Sequence, residues 1–341
     1  MVLSGMCSFT ALLLAAAHKC TQASSPPALL PAEPLQRALQ AAADAGLPTF
    51  TVAPGEYNFS SQPLRLASAA SMDIVAEGAT FWFSPGGGVM LQDCTDVFIR
   101  GLTIDYTPTL AQGIVRSVDR TGSASGDGTA SFTAQFDPTF ITPPCPEAKQ
   151  SQCKVAFWAT DLTDTGSTAA VMVRNVSAPA AVNIFTDRVE SVNGSADHIY
   201  RIFVKAGDSP HGLGLAQAGQ QVTIFHGSNP HSYTALNCTR ITLESVSIYG
   251  GTGMGIVDGQ GGGDSTYRGV TITRRPLQRG IGGAPLSTPV QRLLATNEDG
   301  FHSNGNDVGP YIVDSTIAYT GDDSGNICSV GSQRFPLNAN D

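Results

Sequence analysis

The sequence predicts an all-β chain: a parallel β-helix that opens with a short capping helix and carries an inserted antiparallel β-barrel or sandwich. Three observations predict it. Strand-sized apolar pieces return at intervals in the twenties, a long stretch of alternating residues without that repeat interrupts them, and the composition favours short strands and tight turns. Of 341 residues, 41% are hydrophobic, only 14% are charged, and 37 are Gly and 21 Pro. Such a chain is too poor in charge for a coiled coil and too apolar for disorder.

In chain order, the first segment is the apolar run Ala11-Leu12-Leu13-Leu14-Ala15-Ala16-Ala17, followed by small residues at Ala23-Ser24. It reads as a secretory signal over residues 1–23, too short to span a membrane. The second is Pro34 to Ala45, where Leu35, Ala38, Leu39 and Ala42 follow i, i+3, i+4, i+7 spacing, with Pro34 at the start and Gly46 at the stop. That is a short amphipathic helix. From Phe50 the period becomes two, in Phe50-Thr51-Val52-Ala53 and Tyr57-Asn58-Phe59 around the turn Pro54-Gly55-Glu56. A helix ahead of short strands suits the start of a β-helix, whose open apolar end needs a cover.

The repeat is the third element. Ser245-Val246-Ser247-Ile248, Gly269-Val270-Thr271-Ile272, Val290-Gln291-Arg292-Leu293-Leu294 and Ser315-Thr316-Ile317 place Ile248, Ile272, Leu294 and Ile317 at intervals of 24, 22 and 23. An earlier copy is Gly101-Leu102-Thr103-Ile104. Such intervals suit leucine-rich repeats or β-helix coils. The fixed Leu and Asn offsets of the former are absent, which leaves stacked coils about 4.8 Å apart. Residues 24–105 are then the cap and first coils, and residues 237–341 the later ones. Between them, residues 106–236 hold alternating runs such as Ala130–Phe136, Lys154–Trp158, Tyr200–Val204 and Gln221–Phe225, the predicted insert.

Charge and cysteines bound the function. With 19 Lys+Arg against 28 Asp+Glu, the formal charge is −9, which excludes a nucleic-acid binder that relies on a basic surface. Seven cysteines occur, two of them, Cys7 and Cys20, within or beside the signal. Cys145 and Cys153 flank a polar loop and are expected to form a disulfide. Cys94, Cys238 and Cys328 are an odd remainder, either buried small hydrophobes or bridging partners. Sequons begin at Asn58, Asn175, Asn193 and Asn237, in keeping with secretion. Zinc-ligand spacing is absent, and neither a metal nor a cofactor is expected.

Counting five residues on from Leu294 and from Ile317 gives Asp299 and Asp322, with Asp323 beside the second. Carboxylates on successive coils lie about 5 Å apart. Like charges that close raise one another's proton affinity, so one carboxyl stays protonated as an acid while a neighbour remains ionised. Glycosidic cleavage requires that pairing. Asp and Asn also serve β-turns by bonding nearby backbone N–H groups, which would account for a single Asp but leaves three in register unexplained. Clustered carboxylates also bind hard cations such as Ca²⁺.

Asn297-x-Asp299 followed by Gly321-Asp322-Asp323 resembles the acidic motif of polygalacturonase-type glycoside hydrolases on the right-handed parallel β-helix, the pectin-lyase-like superfamily. Ser247 to Ile256 and Leu293 to His302 look still more like the α-1,3-galactosidase type, in which a barrel-like domain is also inserted. The resemblance implies inverting hydrolysis, with Asp322 as general acid and Asp299 and Asp323 activating water, although the acid and base roles can be permuted. It also implies substrate contacts from His302, Asn297, Asn326 and Arg274; Arg275 and Arg279 lie near Arg274, and a solvated basic turn is the plainer reading of all three. After Asp323 less than one coil remains before Asp341, so the reading expects either a fragment or a member with an incomplete cleft.

The expected function is a secreted, monomeric glycoside hydrolase acting on a polysaccharide or glycan, first a galactoside or galacturonide, without nucleic-acid or membrane partners after signal cleavage. The alternatives are a non-catalytic carbohydrate-binding or surface β-helix protein and a Ca²⁺-dependent polysaccharide lyase, for which Arg274 or Arg275 would supply the base.

Overall fold

The computed structural model describes residues 29–328 except 108, 121–129, 141–143, 146–152, 161–169, 173–183, 193, 195, 206–212, 214–215, 227–229 and 276–291. The predicted signal, the sequons at Asn175 and Asn193, and Arg279 lie outside the described residues. The fold is all-β, with three parallel sheets, one closed antiparallel barrel of six strands and, among the described residues, one helix.

That helix, Ala32–Asp44, buries Leu39 and Ala42 and rests Leu35 on the core, as the spacing predicts. It starts two residues before Pro34, which still falls in the first turn, where a missing N–H costs no intrahelical bond. Its polar face has a further task. Gln36 Nε2 donates to the Arg65 carbonyl at 2.7 Å while Gln36 Oε1 accepts from the Arg65 N–H at 2.7 Å. One turn later Gln40 makes the same reciprocal pair with Ala67 at 3.1 Å each way. Leu64–Ala67 is an edge strand, and the two glutamines satisfy backbone groups that an exposed edge would offer to another chain.

From Thr49 the chain visits the three sheets in a repeating order. One pass runs through Thr95–Arg100 and Thr103–Tyr106 and, after a long excursion, Tyr233–Leu236; the next runs through Thr242–Glu244, Ser247–Ile248 and Ile256–Gly259. Neighbouring passes pair in parallel, and inward-facing residues form columns. In one sheet the column is Tyr57, Phe81, Ile104, Ile248, Ile272 and Ile317. Burying each such side chain stabilises the fold by about 1.5–3 kcal/mol. No single pass could bury its apolar side alone.

The corners repeat as well. Gly101, Ser245, Gly269 and Asp314 follow successive strands of one sheet, and all have positive φ between 51° and 73°. Left-handed backbone favours Gly and short polar residues, which is why Gly, Ser and Asp occupy this corner.

Among the described residues, every antiparallel pairing lies between Leu110 and Phe225. The ring runs Lys154–Thr160, Ile184–Ser191, Ile199–Val204, Ser131–Phe136, Leu110–Asp119 and Gln221–Phe225, and closes where Gln221–Phe225 pairs again with Lys154–Thr160. The alternating runs of the sequence fall on these strands. Their inward residues, including Phe132, Phe136, Phe157, Ile202 and Val222, form a second core, in which Phe132 and Phe157 meet edge to face at 5.2 Å. Cys145 and Cys153 are joined in a disulfide, as expected. Cys94 and Cys238 are buried free thiols and Cys328 is an exposed one.

The repeat count needs one correction. The neighbour of Ile317 is Ile272, 45 residues earlier, and not Leu294. The chain leaves the regular pass after Ile272 and rejoins it at Thr296, which bridges Gly251 on one side and Thr320 on the other. Leu294 is buried elsewhere, with Leu293, Leu110, Ala156, Trp158 and Phe225, in the cluster that joins barrel to sheets. An excursion close to one coil in length made a displaced leucine look like a repeat.

Candidate functional site

Thr296 bridges Thr320, and Phe301 pairs with Gly325, so the two passes are offset by 24 residues throughout this region. The register therefore sets Asp299 level with Asp323 and leaves Asp322 level with Glu298, one residue away from the alignment counted from Leu294. The two segments stack as Thr296-Asn297-Glu298-Asp299 against Thr320-Gly321-Asp322-Asp323. Each threonine folds back in the same way, Thr296 Oγ1 donating to the Glu298 carbonyl and Thr320 Oγ1 to the Asp322 carbonyl, both at 2.9 Å. The Gly300 N–H donates to the Asp323 carbonyl at 2.8 Å and pins the stack.

The three aspartates do converge. One carboxylate oxygen from each of Asp299, Asp322 and Asp323 lies within 4.8 Å of the others, with Asp299 buried, Asp322 half-buried and Asp323 exposed. Gly321 stands where a Cβ would overlap the Asn297 carbonyl oxygen and come within 2.9 Å of the Phe225 ring, so a residue with no side chain is needed directly before the two aspartates.

Nitrogen partners meet the carboxylates from two directions. His302 Nδ1 lies 2.9 Å from Asp299 Oδ2. Lys154, at the start of a barrel strand, places Nζ 2.9 Å from Asp322 Oδ2. Glu298 is half-buried; burial is the main cause that pushes its carboxyl up, Asp299 and Asp322 add to the rise, and Lys154 and His302 oppose it. His231 feels the same charges. Its imidazole is pushed down to about 4, first by burial and then by repulsion from His302, with Asp299 pulling the other way. Its Nδ1 accepts the Met254 N–H at 3.0 Å, which orients the ring.

The remaining residues singled out by the sequence take varied places. Asn326 pairs in register with His302 and sits half-buried beside it. Asn297 is buried, and its amide donates to the Thr109 and His226 carbonyls, both at 3.1 Å. Those carbonyls flank the barrel, so Asn297 ties both ends of the insert to the acidic strand. Arg274 is no solvated turn: it is 7% exposed, with its guanidinium 4.0 Å above the Tyr319 ring. Arg275 lies against Trp82 and Tyr249 and pairs with the buried Asp105 at 3.2 Å. On its other oxygen Asp105 receives Arg292 Nη1 at 3.1 Å.

Sequence reasoning missed Glu298, Lys154 and His231. Glu298 was within reach, because aligning Thr296 with Thr320 superposes a Thr-x-acid-Asp pattern. Lys154 and His231 carry no local signal, since each meets the carboxylates through the folded chain alone.

Together the groups form three converging aspartate carboxyls, with Glu298, whose carboxyl burial pushes up, on the neighbouring residue, and they meet one ammonium and one imidazole. Such a set can give and take protons at two adjacent points, as acid–base cleavage of an acetal requires. No protein-family model matches this chain, and no curated protein matches its sequence.

Proposed function

We propose that this chain is a secreted glycoside hydrolase acting on a polysaccharide or glycan, with galactosides and galacturonides as the first substrates to examine, and that its three parallel sheets form a right-handed β-helix of the pectin-lyase-like superfamily. The observation that carries the reading is the convergence of the Asp299, Asp322 and Asp323 carboxyls, with Glu298 beside them, on two neighbouring passes of the chain. Repeating sheet order and the 24-residue offset support the fold. The apolar run at Ala11–Ala17 supports secretion.

Glu298, whose burial favours a retained proton, is assigned the role of acid toward the leaving oxygen. Asp322, ion-paired with Lys154, takes the ionised role, and Asp299 and Asp323 complete the site from the level beside it. This reverses the assignment that the resemblance implies for Asp322. Retaining enzymes hold acid and nucleophile roughly 5–5.5 Å apart, and inverting ones roughly 6.5–9.5 Å apart, which leaves room for a water. The resemblance implies inversion, and the anomer released first separates the two outcomes.

The test is incubation of the protein with α-galactosides and pectic fragments, following products by proton NMR. Glu298→Gln and Asp322→Asn should each lower kcat by about 100-fold or more, the usual contribution of a positioned acid or base. Equal turnover by wild type and both variants would rule out the mechanism. An unsaturated product absorbing in the ultraviolet would show a lyase, and binding without turnover a carbohydrate-binding protein.

A further inference from the structure

The hydrolase reading places all four carboxyls on the parallel sheets, yet the ammonium that meets them comes from the barrel. Lys154 and Asp322 are 168 residues apart in sequence. Among the described residues, Lys154 is the one lysine or arginine that ion-pairs with any of the four carboxyls, and His302 is the imidazole that meets Asp299. A lysine kept for solubility would extend into water; this one is 14% exposed.

Its position follows from strand geometry. Along Lys154–Thr160 the side chains alternate, and Val155 and Phe157 point into the barrel core. Ala156 and Trp158 therefore point outward, where they pack with Leu293 and Leu294. Lys154 shares that outward face. The same apolar contact that docks the barrel thus aims the ammonium at Asp322. The docking is reinforced by Gln112 Oε1, which accepts the Leu293 N–H at 3.0 Å, and by the two bonds from Asn297.

We propose that Lys154 is a positioning residue for Asp322, so that the inserted barrel completes the carboxyl site and the site works only with the barrel docked. The proposal rests on the hydrolase reading for its catalytic consequence, and on the geometry alone for the contact. Lys154 holds Asp322 in place, and its charge bears on Glu298, which also faces Asp299, Asp322 and His302.

The experiment compares full-length wild type, Lys154→Met and Lys154→Arg by the pH dependence of kcat and KM, and by carbon-13 NMR titration of the Glu298 carboxyl. In Lys154→Met, kcat should fall by roughly 10- to 100-fold with KM nearly unchanged, the loss expected when a reacting group is displaced by about 1 Å. The limb of the profile set by Glu298 should move to higher pH, because the ammonium that opposes protonation is gone. Lys154→Arg should restore most of both. A lower melting temperature with an unmoved pH profile would overturn the proposal and leave Lys154 as a docking contact. If the wild type turns over none of the glycosides, the hydrolase reading fails by itself. The Glu298 titration still decides this proposal, since equal midpoints in wild type and Lys154→Met would overturn it.

Discussion

Replacing Asp105 by Asn tests the clasp that holds the excursion after Ile272 to the rest of the sheet. Asp105 is 1% and Arg292 2% exposed at the side chain, and Arg275 bears on the second carboxylate oxygen. The Asn variant would leave a buried guanidinium without its counter-charge. Breaking a buried pair from one side costs about 3–5 kcal/mol, far more than an exposed pair contributes. Arg292 keeps its bonds to the Tyr249 and Tyr106 carbonyls at 2.7 and 2.9 Å, which places the expected loss at the lower end, about 3 kcal/mol. At roughly 2–4 °C per kcal/mol for chains of this order of size, the melting midpoint should drop by about 6–12 °C. Calorimetry at neutral pH measures it. Asp105→Asn combined with Arg292→Met should recover part of the loss, because the fully buried Arg292 charge is gone and only the more exposed Arg275 is left without its partner. A loss below about 1 kcal/mol in the single variant, or a double variant no better than the single, would refute the clasp.

Three further outcomes are expected. Gly321→Ala should destabilise the chain by about 1–3 kcal/mol, the usual cost of overpacking, and should impair turnover more than it lowers the melting point, since the displaced backbone carries Asp322 and Asp323; unaffected turnover would count against the stack. His231 has a folded-state pKa near 4 against an ordinary 6.5, so the neutral ring is favoured on folding. Its contribution is complete above about pH 6.5 and lost as the pH falls toward 4, so His231→Gln, measured by urea unfolding, should flatten that part of the stability profile. Brief alkylation of the native protein followed by peptide mass mapping should label Cys328 and spare Cys94 and Cys238 until denaturation, in line with their exposure.

Much of the architecture is legible in the amino acids because it is local. The helix shows in the spacing of Leu35, Leu39 and Ala42, and the barrel strands in the alternation around Phe132, Phe157 and Val222. The column of Ile104, Ile248 and Ile272 shows as a repeat because strand and corner lengths hold each pass near 24 residues. The acidic cluster was legible for the same reason, though one residue out of register. Counting from Leu294 paired Asp299 with Asp322 and hid Glu298, because a leucine used to dock the barrel was taken for a leucine of the core column.

The sequence by itself determined which side chains face inward along each strand, where corners must admit positive φ, and that acidic residues gather on two neighbouring passes. These follow from side-chain alternation and backbone sterics, which act over a few residues. Only the tertiary structure decided which passes are neighbours once two excursions intervene, that Arg292 and Arg275 serve the buried Asp105, and that Lys154 reaches Asp322 across 168 residues of chain. Those contacts depend on how two separately built cores dock against each other. Docking is set by apolar surfaces such as Trp158 on Leu293 and Leu294, whose partners carry no mark in the local pattern.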